Sequence, residues 1–371
     1  MKRALLIAAL LAGCVAKPPP NAAPPPPAAA TGSFIGAPDA AAAASQWWRL
    51  YGDEALNDHV ARALAANRDL RIAVATLDAA RANARAAGAN RTPDVALESG
   101  ASPTTRGVNQ PSTIGVPKSS FELGAEVAWE VDLFGRLRNQ SSAASADAEA
   151  AAAARDGVRL AIVADTVGAY LDLCWAGELA SVASRQIDLQ RRQVETVQRQ
   201  LQAGEVSPLE LAQARQLLGR LEAGLPAFEA DAQRARYMLA NLEGLPPAEA
   251  VQFQCQRPPS IAGALPAGDG AGLLARRPDI REAERRLAAA GARVKVATAE
   301  MYPRVSLGAS GGLIAGALDA FITPLISWSF INPARIKARI ALAKANQDGA
   351  LAQYDATWLR ALREVESALA D

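Results

Sequence analysis

Few side chains in this 371-residue sequence carry reactive or metal-ligating chemistry: the thiols of Cys14, Cys174 and Cys255, and the imidazole of His59. With a single histidine and three scattered cysteines, no ligand spacing for a metal exists. The glycine-rich stretch GDGAG at 268–272 is flanked by Pro266 and Pro278 and has no strand pattern before it. It reads as a loop, not a dinucleotide fingerprint. No nucleophile is paired with a base. These absences argue against an enzyme, a cofactor or a metal. His59 falls on an amphipathic helical pattern, as a surface or packing residue. What remains is a file of carboxylates, Glu122, Glu126 and Glu130, within FELGAEVAWEV (121–131). Such a file along a water-filled lumen would favour cations; a merely solvated strand face would carry it equally well.

The carboxylates alternate with Phe121, Leu123, Ala125, Val127, Trp129 and Val131. Period-two alternation predicts a strand with one oily and one wet face. The segment belongs to a duplicated unit. Leu70, Ala73, Leu77, Ala80, Ala84 and Ala87 repeat 210 residues later as Ile280, Ala283, Leu287, Ala290, Val294 and Ala297. Asp69 and Asp279 precede these runs as expected helix N-caps. Pro93 and Pro303 end them, and each leads into an alternating stretch. AWEVDLFGRLR (128–138) then aligns with SWSFINPARIK (327–337), matching Trp129 to Trp328 and Arg136 to Arg335 at a shift of 199. Each copy reads helix, strand, loop, strand, long helix, with strand pairs at 95–131 and 305–331. A repeat of this length predicts a pseudo-symmetric architecture.

Charge excludes some partners. Lys+Arg 39 against Asp+Glu 38 gives no basic surplus for nucleic acid. The N-terminus is more specific: Lys2 and Arg3 precede the apolar run ALLIAALLAG and then Cys14. The run is too short to span a bilayer and reads as a signal peptide over 1–13. LAGC is similar to the bacterial lipoprotein signal, in which the cysteine thiol takes a diacylglycerol; an ordinary signal with an incidental cysteine is the alternative. Val15 after the cysteine suggests passage to the outer membrane. Residues 14–46 form the lipidated cysteine and a Pro/Ala-rich tether.

Between the strand pairs no proline occurs from 132 to 207. Leu173, Ala176, Ala180, Ala183, Ile187, Gln190, Val194, Val197 and Leu201 keep a 3,4 spacing, broken in character only by Gln190. A second seam runs Leu211, Ala214, Leu218, Leu221, Leu225, Phe228, Ala232, Ala235, Leu239, Leu242. Sustained heptads predict a long antiparallel helical hairpin over 139–243, and one helix over 139–203 would be about 97 Å long. Pro226 should bend the returning helix. The tip is Gly204, Glu205, Val206, Ser207, Pro208 and Leu209: glycine to end one helix, then serine, proline and Glu210 as the cap, first position and capping box of the next. The fold expected is mainly α with a small β part.

About four strands per chain cannot close a membrane barrel, and open edges cannot lie in lipid. Either the strands are buried in a soluble fold, or several copies pool them. In the second case Phe121, Leu123, Val127 and Trp129 face lipid, and Glu122, Glu126 and Glu130 face the lumen.

The segments WWRLYGDEALNDHVARALAANRDL from Trp47, VAWEVDLFGRLR from Val127, AGEVSPLELAQA from Ala203 and ARRPDIREAERRLAAAGARVKVATAEMYPRVSL from Ala275 resemble the TolC/OprM-type outer-membrane efflux factors, in their lipoprotein branch. The resemblance covers essentially everything after the tether. It implies a homotrimer with a twelve-stranded β-barrel in the outer membrane above a helical barrel crossing the periplasm. It further implies hairpin tips that meet a periplasmic membrane-fusion adaptor, and through it an inner-membrane pump of the RND type. On this pattern 47–260 is the first repeat and 261–371 a second, C-terminally incomplete one. Asp371 aligns with Asp172, so a second hairpin is missing and an exposed apolar seam over Leu211–Leu242 is expected. In an oxidising periplasm Cys174 and Cys255 can form a disulfide, pinning the connector to the long helix; two separately buried thiols are the alternative. The rival functions are a lipid-anchored periplasmic coiled-coil interaction protein and a non-functional channel remnant.

Overall fold

The computed structural model describes residues 32, 34, 45–103, 119–255, 257–261, 268–314, 317–328 and 333–370. A short 3-10 turn at Trp47–Tyr51 leads into α1 (Glu54–Ala66), α2 (Arg68–Ala89), β1 (Asp94–Pro103) and β2 (Ser119–Val131). Next come α3 (Arg136–Gln202), α4 (Pro208–Leu242) and a 3-10 turn at Pro247–Gln252. The second series is α5 (Gly270–Arg276), α6 (Pro278–Ala299), β3 (Arg304–Ile314), β4 (Ala317–Ser327) and α7 (Pro333–Ala370). Two compact units result: residues 76–153 with 274–371, and residues 31–75 with 154–273.

The first unit holds the sheet. Its strands lie in the order β1-β2-β3-β4, all antiparallel. Below the strands, the repeated apolar stripe of α6 is buried: Ile280, Ala283, Leu287, Ala290 and Val294. Tyr354 and Ala361 of α7 are buried in the same unit, and Arg277 bridges to Glu364 at 2.8 Å. Alanine at so many of these positions lets helices approach closely with little side-chain entropy to lose.

The second unit is centred on the hairpin. Val163, Val167, Tyr170 and Leu173 of α3, Ala235 and Leu239 of α4, and Leu56 and Val60 of α1 form one apolar cluster with Phe253. Gln190, the polar break in the α3 seam, donates from Nε2 to the carbonyl of Ala214 at 3.1 Å. The break is thus a cross-hairpin tie. The α4 helix runs on through Pro226.

Two expectations are corrected. The α4 seam is not left open: Leu211, Ala232, Ala235, Leu239 and Leu242 are buried, and Ala214, Leu218, Leu221, Leu225 and Phe228 are half-buried. The seam faces the other arm of its own hairpin, which covers it. Asp69 and Asp279 are not N-caps but lie inside the first turns of α2 and α6. Asn67 Oδ1 accepts from the Leu70 amide at 3.0 Å ahead of α2, and Arg277 occupies the cap position of α6. Each aspartate still complements the positive end of its helix. The long helix also starts three residues before the expected 139.

Candidate functional site

Register assigns every strand position to a face. Val95↔Val127, Leu97↔Ala125, Val127↔Ala309, Trp129↔Leu307, Ala309↔Ile322 and Val305↔Ile326 are direct partners. Partners across a ladder share a face, so the oily side of β2 extends over all four strands. On this face Ile322 is 78% exposed, Leu97 76%, Ile326 69% and Val95 68%. No described residue covers them. The opposite face carries Glu126 opposite Ala96 and Ser310, and Glu130 opposite Ser306. Thr323 lies opposite Gly308 there. Phe121, Glu122 and Leu123 are strand backbone in register with Ala101, Gly100 and Ser99; the expectations for their side chains fall outside the described residues, as does Cys14.

The lower end of the sheet is clamped twice in the same way. Trp129 Nε1 donates to the Arg91 carbonyl at 3.1 Å, and Trp328 Nε1 to the Met301 carbonyl at 3.1 Å. The donors are 199 residues apart and the acceptors 210, the two shifts of the sequence repeat. Arg136, at the start of α3, grips Glu130 with Nε at 2.8 Å and Nη2 at 2.6 Å. That hydrogen bond, against the cost of burial, raises the Arg136 pKa. Glu130 is therefore committed to an ion pair at the strand–helix junction, whereas Glu126 stands between Ala96 and Ser310 in the ladder. Asp132 accepts from the Leu137 and Arg138 amides at 3.1 and 2.8 Å and caps α3. Phe134 and Tyr302 stack at 4.6 Å alongside.

At the hairpin tip, Gly204 takes φ +77°. The Glu205 amide reaches back to the Gln200 carbonyl at 2.9 Å, and the Gly204 amide to Leu201 at 3.0 Å. This pair of bonds satisfies the last carbonyls of α3. Glu210 accepts from the Ser207 amide at 2.7 Å, and Pro208 opens α4. Gly204, Glu205, Ser207, Pro208 and Leu209 are exposed, while Val206 is half-buried. A rigid turn thus presents an apolar Leu209 to solvent.

The hairpin base holds a cluster that sequence reasoning missed. His59 Nδ1 lies 2.5 Å from Glu243 Oε1, and Arg62 Nε donates to Glu243 Oε2 at 2.7 Å. The Glu243 side chain is 1% exposed. Burial alone would raise its pKa; the hydrogen bonds from His59 and Arg62 outweigh that and hold the carboxyl below its ordinary value. Asn67 Nδ2 donates to the Leu242 carbonyl at 2.9 Å. Gly244 sits at φ +69°, where an added Cβ would meet the Ala66 carbonyl oxygen at 2.7 Å. Tyr170 donates to Asp53 at 3.0 Å, and Asp53 caps α1 through the Leu56 amide. The one sequence signal was a glutamate directly after the apolar seam, in LANLEGLPP. Beside this cluster Cys174 and Cys255 form a disulfide, with Cα atoms 5.0 Å apart and a separation of 81 positions in sequence. Among the described residues no group of three His, Cys, Asp or Glu side chains could hold a metal.

Comparison with known proteins agrees with this arrangement. The family model described as "Outer membrane efflux protein" matches residues 60–245 and 272–371. Nodulation protein T of Rhizobium leguminosarum bv. viciae is 30% identical over 335 residues, covering 87% of this chain and 68% of that protein. The pyoverdine export outer membrane protein OpmQ of Pseudomonas putida is 31% identical over 341 residues, covering 87% and 72%. Among solved structures, the outer-membrane channel OprN superposes with a TM-score of 0.83 at 35% identity, covering 97% of this chain and 82% of that one.

Proposed function

The chain belongs to the outer membrane efflux protein family and is an outer-membrane channel subunit of an efflux system; from that premise we propose how it forms and joins its duct. Three copies pool their four-stranded sheets into a twelve-stranded barrel. One observation carries this reading: a four-stranded sheet with a largely apolar face, strongly exposed at Val95, Leu97, Ile322 and Ile326, and with β1 and β4, among the described residues, each paired on one side only. An exposed apolar face of this extent is unstable in water and stable in lipid. Open edges are unstable in lipid and must be closed by another copy. Thirteen residues of β2, at about 3.4 Å each and tilted about 45°, rise roughly 31 Å, enough for the apolar band of an outer membrane.

In this assembly Val127 and Trp129 face acyl chains, with Phe121 and Leu123 continuing the same file. Glu126 faces the aqueous lumen, as does Glu122 by its place in the strand. Cys14 carries the lipid anchor. The tip, Gly204 to Leu209, meets a periplasmic membrane-fusion adaptor, which couples the duct to an inner-membrane pump of the RND type. The channel binds no cofactor and does no bond chemistry; it is a passive exit for small molecules whose energy comes from the pump.

The test is assembly in detergent and lipid. The full-length lipoprotein should run as a heat-modifiable, detergent-resistant trimer and conduct ions in planar bilayers. A monomer that becomes water-soluble when Cys14 is replaced would overturn the channel in favour of a lipid-anchored periplasmic interaction protein.

A further inference from the structure

We propose that the Cys174–Cys255 bridge is made by an ordered thiol–disulfide exchange, in which Cys255 takes the incoming oxidant and Cys174 resolves it. The two sulfurs differ in access. Cys174 lies on α3 inside the apolar cluster, 1% exposed. Cys255 lies on the strap that follows the 3-10 turn at Pro247–Gln252 and is half-buried. The strap is drawn onto the hairpin by side chains on both sides of it. Arg236 of α4 donates to the Phe253 carbonyl at 3.1 Å. The buried Phe253 ring meets the His59 ring edge-on at 5.0 Å.

An oxidant protein must bring a sulfur in line with the thiolate that attacks it. At Cys255 this needs only access to a half-buried position on a surface strap. At Cys174 it would require the oxidant to enter a packed core, which opens only by partial unfolding. Cys174 is nonetheless held where Cys255 will be, with 5.0 Å between the Cα atoms. Resolution is then intramolecular and carries the high effective concentration of a positioned neighbour.

The exchange balances. The Cys255 thiolate attacks a sulfur of the oxidant's disulfide, forming a mixed disulfide and releasing one oxidant thiolate. The Cys174 thiolate then attacks Cys255 Sγ, forming the bridge and releasing the second oxidant thiolate. The chain loses two protons and two electrons; the oxidant, a dithiol–disulfide oxidoreductase of the periplasm, is reduced to its dithiol. The same asymmetry makes Cys255 the point at which a reductant opens the bridge.

The test uses the full lipoprotein, in detergent, with glutathione disulfide as the probe and intact mass as the readout. Folded Cys174→Ser protein should take up one glutathione at Cys255. Folded Cys255→Ser protein should react at Cys174 about tenfold more slowly or less, with the difference abolished in denaturant. Equal rates in the folded proteins, or a faster reaction at Cys174, would overturn the order. A second measurement needs no variant. Wild-type protein is partially reduced with glutathione, acid-quenched and peptide-mapped; the adduct should sit on the Cys255 peptide. An adduct on the Cys174 peptide, or a wild-type mass that does not rise by two hydrogens on full reduction, refutes the proposal.

Discussion

Ile322 and Thr323 are neighbours in the middle of β4 that lie on opposite faces of the sheet. Ile322 partners Ala309 on the apolar face and is 78% exposed within the chain; Thr323 partners Gly308 on the other. If the apolar face meets lipid, Ile322→Arg places a guanidinium near the bilayer midplane, at a cost of about 2–4 kcal/mol per copy. That cost lowers the insertion equilibrium of each copy roughly 30- to 700-fold. Three copies share one barrel, so the assembled duct is weakened by about 6–12 kcal/mol if the sites act independently. Thr323→Arg adds the same charge in water and should cost close to nothing. The assay dilutes urea-unfolded protein into phosphocholine vesicles and scores the heat-modifiable fraction against final urea concentration. Ile322→Arg should shift insertion to lower urea or abolish it, with Thr323→Arg near wild type. Equal loss in both variants, or wild-type insertion of Ile322→Arg, would refute the facial assignment for the whole sheet.

Three further outcomes follow from the hairpin and its base. Glu243→Gln should destabilise the chain by about 1–3 kcal/mol in chemical denaturation, below the full cost of breaking a buried pair because Arg62 is half-exposed and screened; an unchanged midpoint would deny the cluster its structural role. Because the folded Glu243 carboxyl sits below its ordinary value, its contribution is complete above the ordinary carboxylate range and is lost as pH falls through the depressed folded value. Stability measured from pH 7 to pH 3 should therefore fall less steeply in Glu243→Gln than in wild type. Gly244→Ala should cost more than Gly204→Ala: both glycines have positive φ, but only at Gly244 does a Cβ strike backbone, 2.7 Å from the Ala66 oxygen. The tip substitution should cost about 1 kcal/mol and the base substitution about 2–3 kcal/mol, and equal thermal shifts would contradict this.

Strands, hairpin and duplication were legible because each rests on a local period. Alternation marked β2, unbroken 3,4 spacing marked α3 and α4, and two constant shifts marked the repeat. The tip was legible because glycine, serine and proline act through the backbone at fixed offsets. The hairpin base was not: His59 and Glu243 stand 184 residues apart, and a lone histidine on an amphipathic helix gives no hint of its partner. Asp69 and Asp279 misled because an aspartate suits the first turn almost as well as the cap, and Asn67 competes for the cap two residues earlier. The seam of α4 looked unpartnered only when weighed against a second hairpin; its actual cover is the adjacent arm, which the same heptads had already described. Glu130 was assigned with its neighbours by alternation alone, although Arg136 stood six residues away in the same segment.

The paired indole clasps have a consequence for how such a chain can vary. Each ties the foot of a strand to the turn that ends the preceding helix, so an insertion between Arg91 and β1, or between Met301 and β3, would tear an indole from its carbonyl. Among the described residues the far ends bear no such tether. The first hairpin is joined by residues 104–118 and the second by 315–316, and there the two halves have been free to diverge in length. Evolution's latitude, and the engineer's, therefore lies at the distal rim: an epitope or fluorophore spliced into 104–118 should be borne quietly, whereas the same graft beside Arg91 should not.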